Sequence, residues 1–308
     1  MSNDSKFRLI KDYLSTQKAK DIEPIWIPAV WNECQYERVL LEKEGEICVH
    51  PYDFLTDHLN YLDRLSWRYL LKERTNLDDS AIYSSLIRYS TAWDYNHDGK
   101  IESGTFLRFF ILLPLLKKMG INILYMLPVN QYSKLNLKGD IGSPYAVQSL
   151  FHLDENLHDS LLDDMEEFTI HDELSALVEA CHLLDIKTVV DFIPRVTAKN
   201  SAFITEHPEW VYWIKMDELE GFAPPAIPQL GFFEECTPDK LETVYRSQET
   251  AVFLRKFTPP PNELHPILWQ HLKEKAAKTG EELLTLVEQE MGITTAPAHS
   301  EWRNEVQQ

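Results

Sequence analysis

The sequence predicts an α/β fold built from parallel βαβ units, with a helical extension before them and a segment of different character after them. Two nearly continuous apolar runs, 121–127 and 187–193, are typical of buried parallel strands, and amphipathic helical patterns alternate with them. With 308 residues, 44% of them hydrophobic, and only 10 glycines, the chain can bury a large core. Shifts in composition divide it into three zones, 1–80, 81–196 and 197–308.

The first zone is predicted to be a largely helical extension that packs on the units that follow. A helix is expected from Lys6 to Gln17, and a long helix from Tyr52 to Arg74 has apolar residues at helical spacing. Between them lies the segment Pro24 to Trp31, whose tryptophans we interpret as packing residues.

The second zone alternates strands and helices, which implies parallel strands joined by helical crossovers. The predicted elements are, in order, strand Ile82–Tyr89, helix Thr105–Met119, strand Ile121–Leu127, helix His171–Leu184 and strand Lys187–Ile193. Gly120 is expected to end the first of these helices. In a barrel of such units, functional residues gather on the loops after the strands, here near Thr91, Pro128 and Pro194.

The third zone, 197–308, loses this alternation and is predicted to be a subdomain inserted after the third strand, with an incomplete continuation of the barrel. It contains the aromatic segment His207–Trp213, two proline-rich stretches and a predicted helix from Leu264 to Lys278. Long segments without regular structure are uncommon inside compact domains. Three parallel strands cannot close a barrel, so we expect further strands from a longer polypeptide or from a partner chain, with a decayed product as the alternative.

The charge of the chain excludes several classes of partner. A formal net charge of −19 repels phosphate backbones and anionic lipid headgroups, so we expect neither nucleic acid nor membrane as a partner. The first residues lack an apolar signal segment, which predicts a cytoplasmic protein. The four cysteines form no C-x-x-C pair, so neither a disulfide framework nor a thiolate zinc site is indicated.

A cation-binding pattern follows the first predicted strand. Asp94, Asn96, Asp98 and Gly99 spell D-x-N-x-D-G, a spacing that directs oxygen ligands at one hard cation while the glycine allows a sharp turn. A structural Ca²⁺ is therefore expected. A solvated acidic turn is the alternative.

Two further ligands follow when the loop positions are counted from Asp94. Lys100 supplies a backbone carbonyl at the seventh position, and Glu102 supplies a carboxylate at the ninth. The twelfth position is Thr105 instead of the glutamate that an EF-hand requires, and a strand, not a helix, precedes the loop. A structural site is therefore favoured over a calcium sensor.

The run from Tyr89 to Pro128 resembles the first two strands of the α-amylase family, glycoside hydrolase family 13, and in particular its oligo-1,6-glucosidase-like members. These enzymes carry a D-x-N-x-D-G calcium loop after strand one and a strand two that ends as Leu127, Pro128 and Val129 do here. The resemblance implies a (β/α)8-type TIM barrel that is incomplete in this chain, with its first three βα units present.

The segment from Gly142 to Ala146 resembles the loop that presents a sugar-stacking aromatic residue in that family. Tyr145 would then be the stacking platform, because an aromatic ring suits the apolar C–H face of a sugar. A buried loop tyrosine is the alternative. The Gly-Ser-Pro-aromatic pattern, together with the segment Glu206–Trp210, is similar to the maltosyltransferase branch that acts on maltose 1-phosphate.

The third predicted strand resembles the family's first signature, D-x-x-x-N-H. Asp191 matches the aspartate and is given a supporting role, while Arg195 and Val196 replace the asparagine and histidine. Arg195 either lines the sugar site, where it could recognise an anionic glucan, or pairs with Asp191.

The family's catalytic signatures are missing after Asp191: there is no G-x-R-x-D nucleophile motif. Retaining hydrolysis needs two carboxyl groups about 5 Å apart, which one supporting aspartate cannot provide. The resemblance thus implies the amino-terminal part of an enzyme that hydrolyses or transfers α-glucosidic linkages in an α-glucan or oligosaccharide. The alternative is a non-catalytic glycan- or calcium-binding half-barrel or pseudoenzyme.

Overall fold

A computed structural model of the chain describes residues 5–66, 80–135, 137, 142–194, 196–220, 222–228, 230 and 237–296. The chain divides into two compact units. The first contains residues 1–131 and 150–195, and the second contains residues 132–149 and 196–308. The first two predicted zones therefore share one unit, except for residues 132–149, which belong with the third zone.

The amino-terminal part of the first unit combines two helices with a small sheet. Its elements are α1 (Lys6–Thr16), β1 (Ile25–Pro28), β2 (Leu41–Lys43), β3 (Glu46–Val49) and α2 (Pro51–Ser66). The strands are antiparallel in the order β1-β3-β2. This sheet was not expected from the sequence, which predicted a largely helical extension. The predicted continuation of α2 over 67–74 lies outside the described residues.

A parallel sheet occupies the rest of the first unit. Its elements are β4 (Ile82–Ser85), α3 (Ile87–Ser90), α4 (Phe106–Phe109), α5 (Leu113–Lys118), β5 (Ile123–Met126), α6 (Ile170–Leu183) and β6 (Lys187–Val190). Both strand pairs, β4 with β5 and β5 with β6, are parallel, and the strands lie in sequence order. Each predicted strand therefore contains an observed one.

Two predicted elements differ from the observed ones. The predicted strand Ile82–Tyr89 stops at Ser85, because the backbone then turns into α3, where the amide and hydroxyl of Ser90 both donate to the Leu86 carbonyl. The predicted helix Thr105–Met119 is divided by a 3-10 turn over Phe110–Leu112. Pro114 lies in the first turn of α5, where the amide that proline lacks needs no helical partner.

The two faces of the parallel sheet differ in burial. Side chains alternate between the faces of a strand, and Leu124 and Met126 are fully buried in the core beneath the helices. On the opposite face, Ile82 is 61% exposed and Val189 is 41% exposed. Parallel sheets are normally covered on both faces. Among the described residues, the helices cover the face of Leu124 and Met126, and the opposite face is left partly exposed on the outer strands.

Helix α1 is anchored on α6. The Ser5 hydroxyl and the amides of Lys6 and Phe7 all donate to the carboxylate of Glu179, at 2.6 to 3.1 Å. These amides belong to the start of the helix and have no partner within it, so a carboxylate there satisfies them and complements the helix dipole. The apolar side of α1 is buried in the same core.

The second unit is a mixed α/β structure with its own core. Its elements are α7 (Phe203–Glu206), β7 (Trp213–Lys215), α8 (Pro238–Arg246), α9 (Gln248–Leu254), β8 (Phe257–Thr258), α10 (Pro261–Leu264), α11 (Pro266–Thr279), α12 (Leu283–Met291) and β9 (Ile293–Thr295). The strands are antiparallel in the order β8-β7-β9. The core gathers around Trp213, Leu272 and Leu286. The predicted helix Leu264–Lys278 corresponds to α11, which begins at Pro266.

None of the helices in the described ranges combines the length and the apolar character that crossing a membrane requires.

Candidate functional site

The segments that follow the three parallel strands begin at the same edge of the sheet. The Asp191 amide donates to the Met126 carbonyl at 2.8 Å, and the Leu127 amide donates to the Ser85 carbonyl at 2.9 Å. These bonds continue the ladder by one step, so Asp191 stands immediately beyond the carboxyl end of β6. Ligand sites of α/β proteins gather at this edge.

Asp191 interacts with a tyrosine of the neighbouring strand. Desolvation, together with the charge of Asp191 and a hydrogen bond to its side chain, raises the pKa of Tyr125. The phenol therefore stays protonated and can orient the carboxylate toward a ligand. Asp191 itself is partly exposed, as a ligand-binding group must be.

A buried ion pair connects residues that follow two of the parallel strands. Arg88, in α3, lies 3.1 Å from Asp154, and both side chains are almost completely buried. Asp154 also accepts hydrogen bonds from the amide and the side chain of Asn156. The pair joins the segment after β4 to the loop after β5. Sequence reasoning missed it, because neither residue belongs to a recognisable motif.

The predicted calcium loop is a tight turn whose side chains face its own backbone. Asp94 accepts the amides of Asp98 and Gly99 at 3.0 and 2.9 Å, and Asn96 also accepts the Asp98 amide at 3.0 Å. Asp98 in turn accepts the Lys100 amide at 2.8 Å. An oxygen that accepts one hydrogen bond keeps a lone pair for a cation, so these three side chains suit a hard cation.

Gly99 has φ +84°, which is the left-handed conformation expected of the glycine in this pattern. A two-residue antiparallel bridge between Trp93 and Glu102 closes the loop, which is not the helix–loop–helix arrangement of a sensor.

Glu102, one of the predicted calcium ligands, forms an ion pair with an arginine. Its carboxylate lies 3.3 Å from the guanidinium of Arg108, which also contacts the buried carboxylate of Asp159 at 3.1 Å. Within the ranges described, no three histidine, cysteine, aspartate or glutamate side chains are grouped to hold a metal ion. Glu102 therefore fits a cation poorly while it pairs with Arg108.

The amino-terminal sheet clamps this loop. The Trp26 ring stacks on His97 with centroids 4.5 Å apart, and the Trp26 amide donates to the Tyr95 carbonyl at 2.8 Å. Glu46 of β3 accepts a hydrogen bond from the Trp93 indole at 2.9 Å and lies 3.3 Å from His97. The tryptophan segment thus holds the loop in place, in keeping with its predicted packing role.

A second buried network lies at the start of α6. The Glu173 carboxylate is fully buried, hydrogen-bonds with His158 and accepts the Asp159 amide at 3.3 Å. Burial raises the pKa of Glu173 to about 7. His158 also contacts Asp163 at 2.7 Å, and the two carboxylates raise its pKa against the effect of desolvation.

Of the two predicted sugar-contacting residues, Tyr145 and Arg195, the structure describes the first. Tyr145 is 42% exposed, so the alternative of a buried loop tyrosine is wrong, and its amide donates to the Ser143 hydroxyl at 3.3 Å. Arg195 lies outside the described residues. Tyr145 belongs to the second unit and Asp191 to the first.

Comparison with known sequences finds similarity to one group of enzymes. The chain is 32% identical over 120 residues to an α-1,4-glucan:maltose-1-phosphate maltosyltransferase of Cereibacter sphaeroides, covering 36% of this chain and 19% of that protein. It is 30% identical over 141 residues to the enzyme of the same name from Mycolicibacterium smegmatis, covering 42% of this chain and 19% of that enzyme. The chain thus matches about a fifth of the length of these relatives. No protein-family model matches it.

Solved structures with partial similarity include α-amylases. One from Lactobacillus plantarum matches 62% of this chain and 34% of its own with 24% identity and a TM-score of 0.35. A maltogenic α-amylase from Thermotoga neapolitana matches 44% of this chain and 28% of its own, with 24% identity and a TM-score of 0.35.

Proposed function

We propose that this chain, whose sequence is similar to the α-amylase family and to its maltosyltransferase-like branch, forms an amino-terminal part of an enzyme that acts on α-glucosidic linkages. The observation that carries the proposal is the position of Asp191. The residue that matches the family's signature aspartate stands directly beyond the carboxyl end of the third parallel strand.

In this proposal Asp191 is a supporting residue that binds sugar hydroxyls, with Tyr125 orienting its carboxylate. Tyr145 is the stacking platform for a sugar ring, and its exposure leaves the ring accessible to a ligand. Arg195 contributes a cation for an anionic or phosphorylated glucan. The nucleophile and the acid/base group come from further barrel strands of a longer polypeptide or of a partner chain.

The test is binding of maltoheptaose to the 308-residue chain, measured by calorimetry. Asp191→Ala and Tyr145→Ala should each weaken binding about tenfold or more, since each removes a direct contact with the sugar. Tyr212→Ala, which removes an exposed tyrosine elsewhere in the second unit, is the matched control. Affinity for maltoheptaose that neither Asp191→Ala nor Tyr145→Ala reduces would contradict the proposal.

A glycan-binding module without turnover is the second candidate, and one observation favours it. Of the residues that directly follow the three described parallel strands, Leu86, Leu127 and Asp191, one carries a carboxylate. The two candidates differ in turnover. A chromogenic α-maltoside, or phosphate release from maltose 1-phosphate with a glucan acceptor, should yield product with a longer form that supplies the missing carboxylates and none with a binding module.

The structural Ca²⁺ is part of the same proposal, with Asp94, Asn96, Asp98, the Lys100 carbonyl and Glu102 as ligands. The first three are supported by their shared turn, and Glu102 would have to leave Arg108. Calcium at about 100 times its Kd should stabilise the chain by about 3 kcal/mol over EDTA. Asp98→Asn should abolish that shift in Tm, while Asp21→Asn, at an exposed aspartate outside the loop, should retain it. An equal shift in both variants would remove calcium from the proposal.

A further inference from the structure

The outer edge of β6 is open within the part of the chain that the structure describes. The strand lies at one end of the sheet order β4-β5-β6, and no described strand adjoins its far side. Three of its four residues, Lys187, Val189 and Val190, are exposed. An open edge presents unpaired backbone donors and acceptors, which another strand can join.

The hydrogen bonds toward β5 show which backbone groups of β6 face this open edge. The amides of Lys187 and Asp191 both donate to the β5 side, each at 2.8 Å. Successive residues of a strand direct their amides and carbonyls to opposite sides, so those of Thr188 and Val190 point away from β5. A second strand would therefore pair with Thr188 and Val190.

The side chains on the open face of β6 form a self-complementary pattern. Side chains alternate between the faces of a strand, so Lys187, Val189 and Asp191 share this face. The two charges are four residues apart, about 13 Å in an extended strand, which is too far for them to pair within one chain. An antiparallel copy of the strand would bring each lysine opposite an aspartate. A parallel copy in register would place like charges side by side.

A two-fold axis at Val189 satisfies the backbone as well as the charges. Thr188 then lies opposite Val190 of the copy, and residues in such a pair exchange both of their backbone hydrogen bonds. Lys187 lies opposite Asp191 of the copy at a position without backbone bonds, where opposite Cα atoms are only about 4.5 Å apart. Opposite charges and β-branched side chains that face each other both stabilise paired strands.

We infer that β6 pairs with β6 of a second copy of this chain, antiparallel about a two-fold axis at Val189, so that two three-stranded sheets become one continuous sheet. The inference goes beyond the proposed function, because the pairing needs no glycan. A further barrel strand of a longer polypeptide would occupy the same edge, so the two occupants exclude each other.

The copy would contribute a charge beside the candidate site. Asp191 interacts with Tyr125 through a side-chain hydrogen bond. A carboxylate has about four lone-pair positions, so Lys187 of the copy can share Asp191 with Tyr125 and with a sugar hydroxyl.

The test is sedimentation equilibrium of the 308-residue chain over a wide range of concentrations, with Lys187→Asp and Asp191→Lys as variants. The unchanged chain should form dimers. Each variant places like charges opposite each other at both ends of the paired strands and should weaken the dimer about tenfold or more. Lys43→Asp, at the exposed end of the edge strand β2, changes the charge equally and is the matched control for Lys187→Asp.

A mixture of the two variants gives the sharpest outcome. The aspartates of one chain then face the lysines of the other at both ends of the paired strands. A mixed dimer should therefore form about as tightly as the dimer of the unchanged chain, although each variant alone associates weakly. Circular dichroism of each variant checks that it is folded.

Three results would overturn the inference. These are a chain that stays monomeric at every concentration, a dimer that Lys187→Asp weakens no more than Lys43→Asp does, and a mixture that associates no better than its components. Loss of maltoheptaose binding in a chain that still dimerises through β6 would count against the proposed function alone.

Discussion

At the scale of single residues, the Glu173–His158 pair and His58 give the chain opposite responses to pH. The pKa of Glu173 is raised to about 7 by burial, and that of His158 is raised by its two carboxylate partners. The folded state therefore binds protons more tightly than the unfolded chain, and stability falls as pH rises through the range between about 5 and 8. His58 is completely buried, and burial lowers its pKa to about 4, so stability also falls as pH drops below about 6.5.

Glu173→Gln should reduce the loss of stability that accompanies rising pH, because an amide cannot ionise. We expect the free energy of unfolding, measured by urea denaturation from pH 4 to pH 9, to decline less steeply above pH 5 in the variant, with the contribution of the His158–Asp163 pair remaining. The decline toward acid should persist, because His58 is unchanged. Exposed Glu37→Gln is the control and should retain both slopes. A variant that loses as much stability between pH 5 and pH 8 as the unchanged chain would show that Glu173 is not a responsible group.

Residues at this scale were predictable where they form a local pattern. The loop Asp94–Gly99 and the position of Asp191 were found in the sequence because their spacing is fixed by a turn and by a strand end. Glu173, which meets His158 15 residues away, and Asn200, which meets Glu282 82 residues away, could not be found, since a single sequence carries no record of such contacts. The resemblance to the α-amylase family, drawn from motifs, is confirmed by the similarity to maltosyltransferases.

At the scale of elements, helices and parallel strands with strong hydrophobic periodicity were predicted at the observed positions. Elements with weak periodicity were not predicted. The sequence alone was sufficient to recognise the apolar runs of β5 and β6 and the apolar stripe of α6. The strands β1, β2 and β3 span three or four residues each, and β2 is exposed throughout, so no alternation marks them. The association of residues 132–149 with the second unit depends on long-range hydrogen bonds, such as Ala198 to Val147, which composition does not reveal.

The junction between α3 and the loop after β5 depends on the Arg88–Asp154 pair. Asp154→Ala should destabilise the first unit by about 3–5 kcal/mol, because it removes the carboxylate that faces the buried Arg88 charge. Asp154→Asn keeps an oxygen for the Asn156 amide and separates the loss of charge from the loss of that hydrogen bond.

The matched control is Asp164→Ala, which breaks an exposed pair with Lys20 and should cost less than about 1 kcal/mol. Thermal and urea unfolding followed by circular dichroism measure each change. Equal small losses for Asp154→Ala and Asp164→Ala would mean that the buried pair contributes little to the junction.

At the scale of the whole molecule, the parallel sheet has one face that the described residues leave partly uncovered at its outer strands. Ile82 and Val189 lie on this face, and no described strand pairs with the outer edge of β6. Exposed apolar strand surface promotes association between chains. Further barrel strands, as proposed above, would cover it.

Val189→Lys should therefore reduce self-association of the 308-residue chain, measured by light scattering and by binding of a hydrophobic dye. Its Tm should change little, because the side chain is already exposed. Ile267→Lys, which replaces an exposed isoleucine on α11, is the matched control and should leave association unchanged. An equal effect of both substitutions would point to net charge instead of the sheet face.

The anchoring of α1 on α6 has a consequence for synthesis. Ser5 caps the first helix locally, but the acceptor for the Lys6 and Phe7 amides is Glu179, up to 173 residues later in the chain. A ribosome that adds about 5–20 residues per second needs roughly 10–30 s to make that partner, and a helix of 11 residues is marginal on its own during the wait. Helix α1 is thus made well before the Glu179 carboxylate that accepts its first amides, so a nascent-chain chaperone has time to bind this helix.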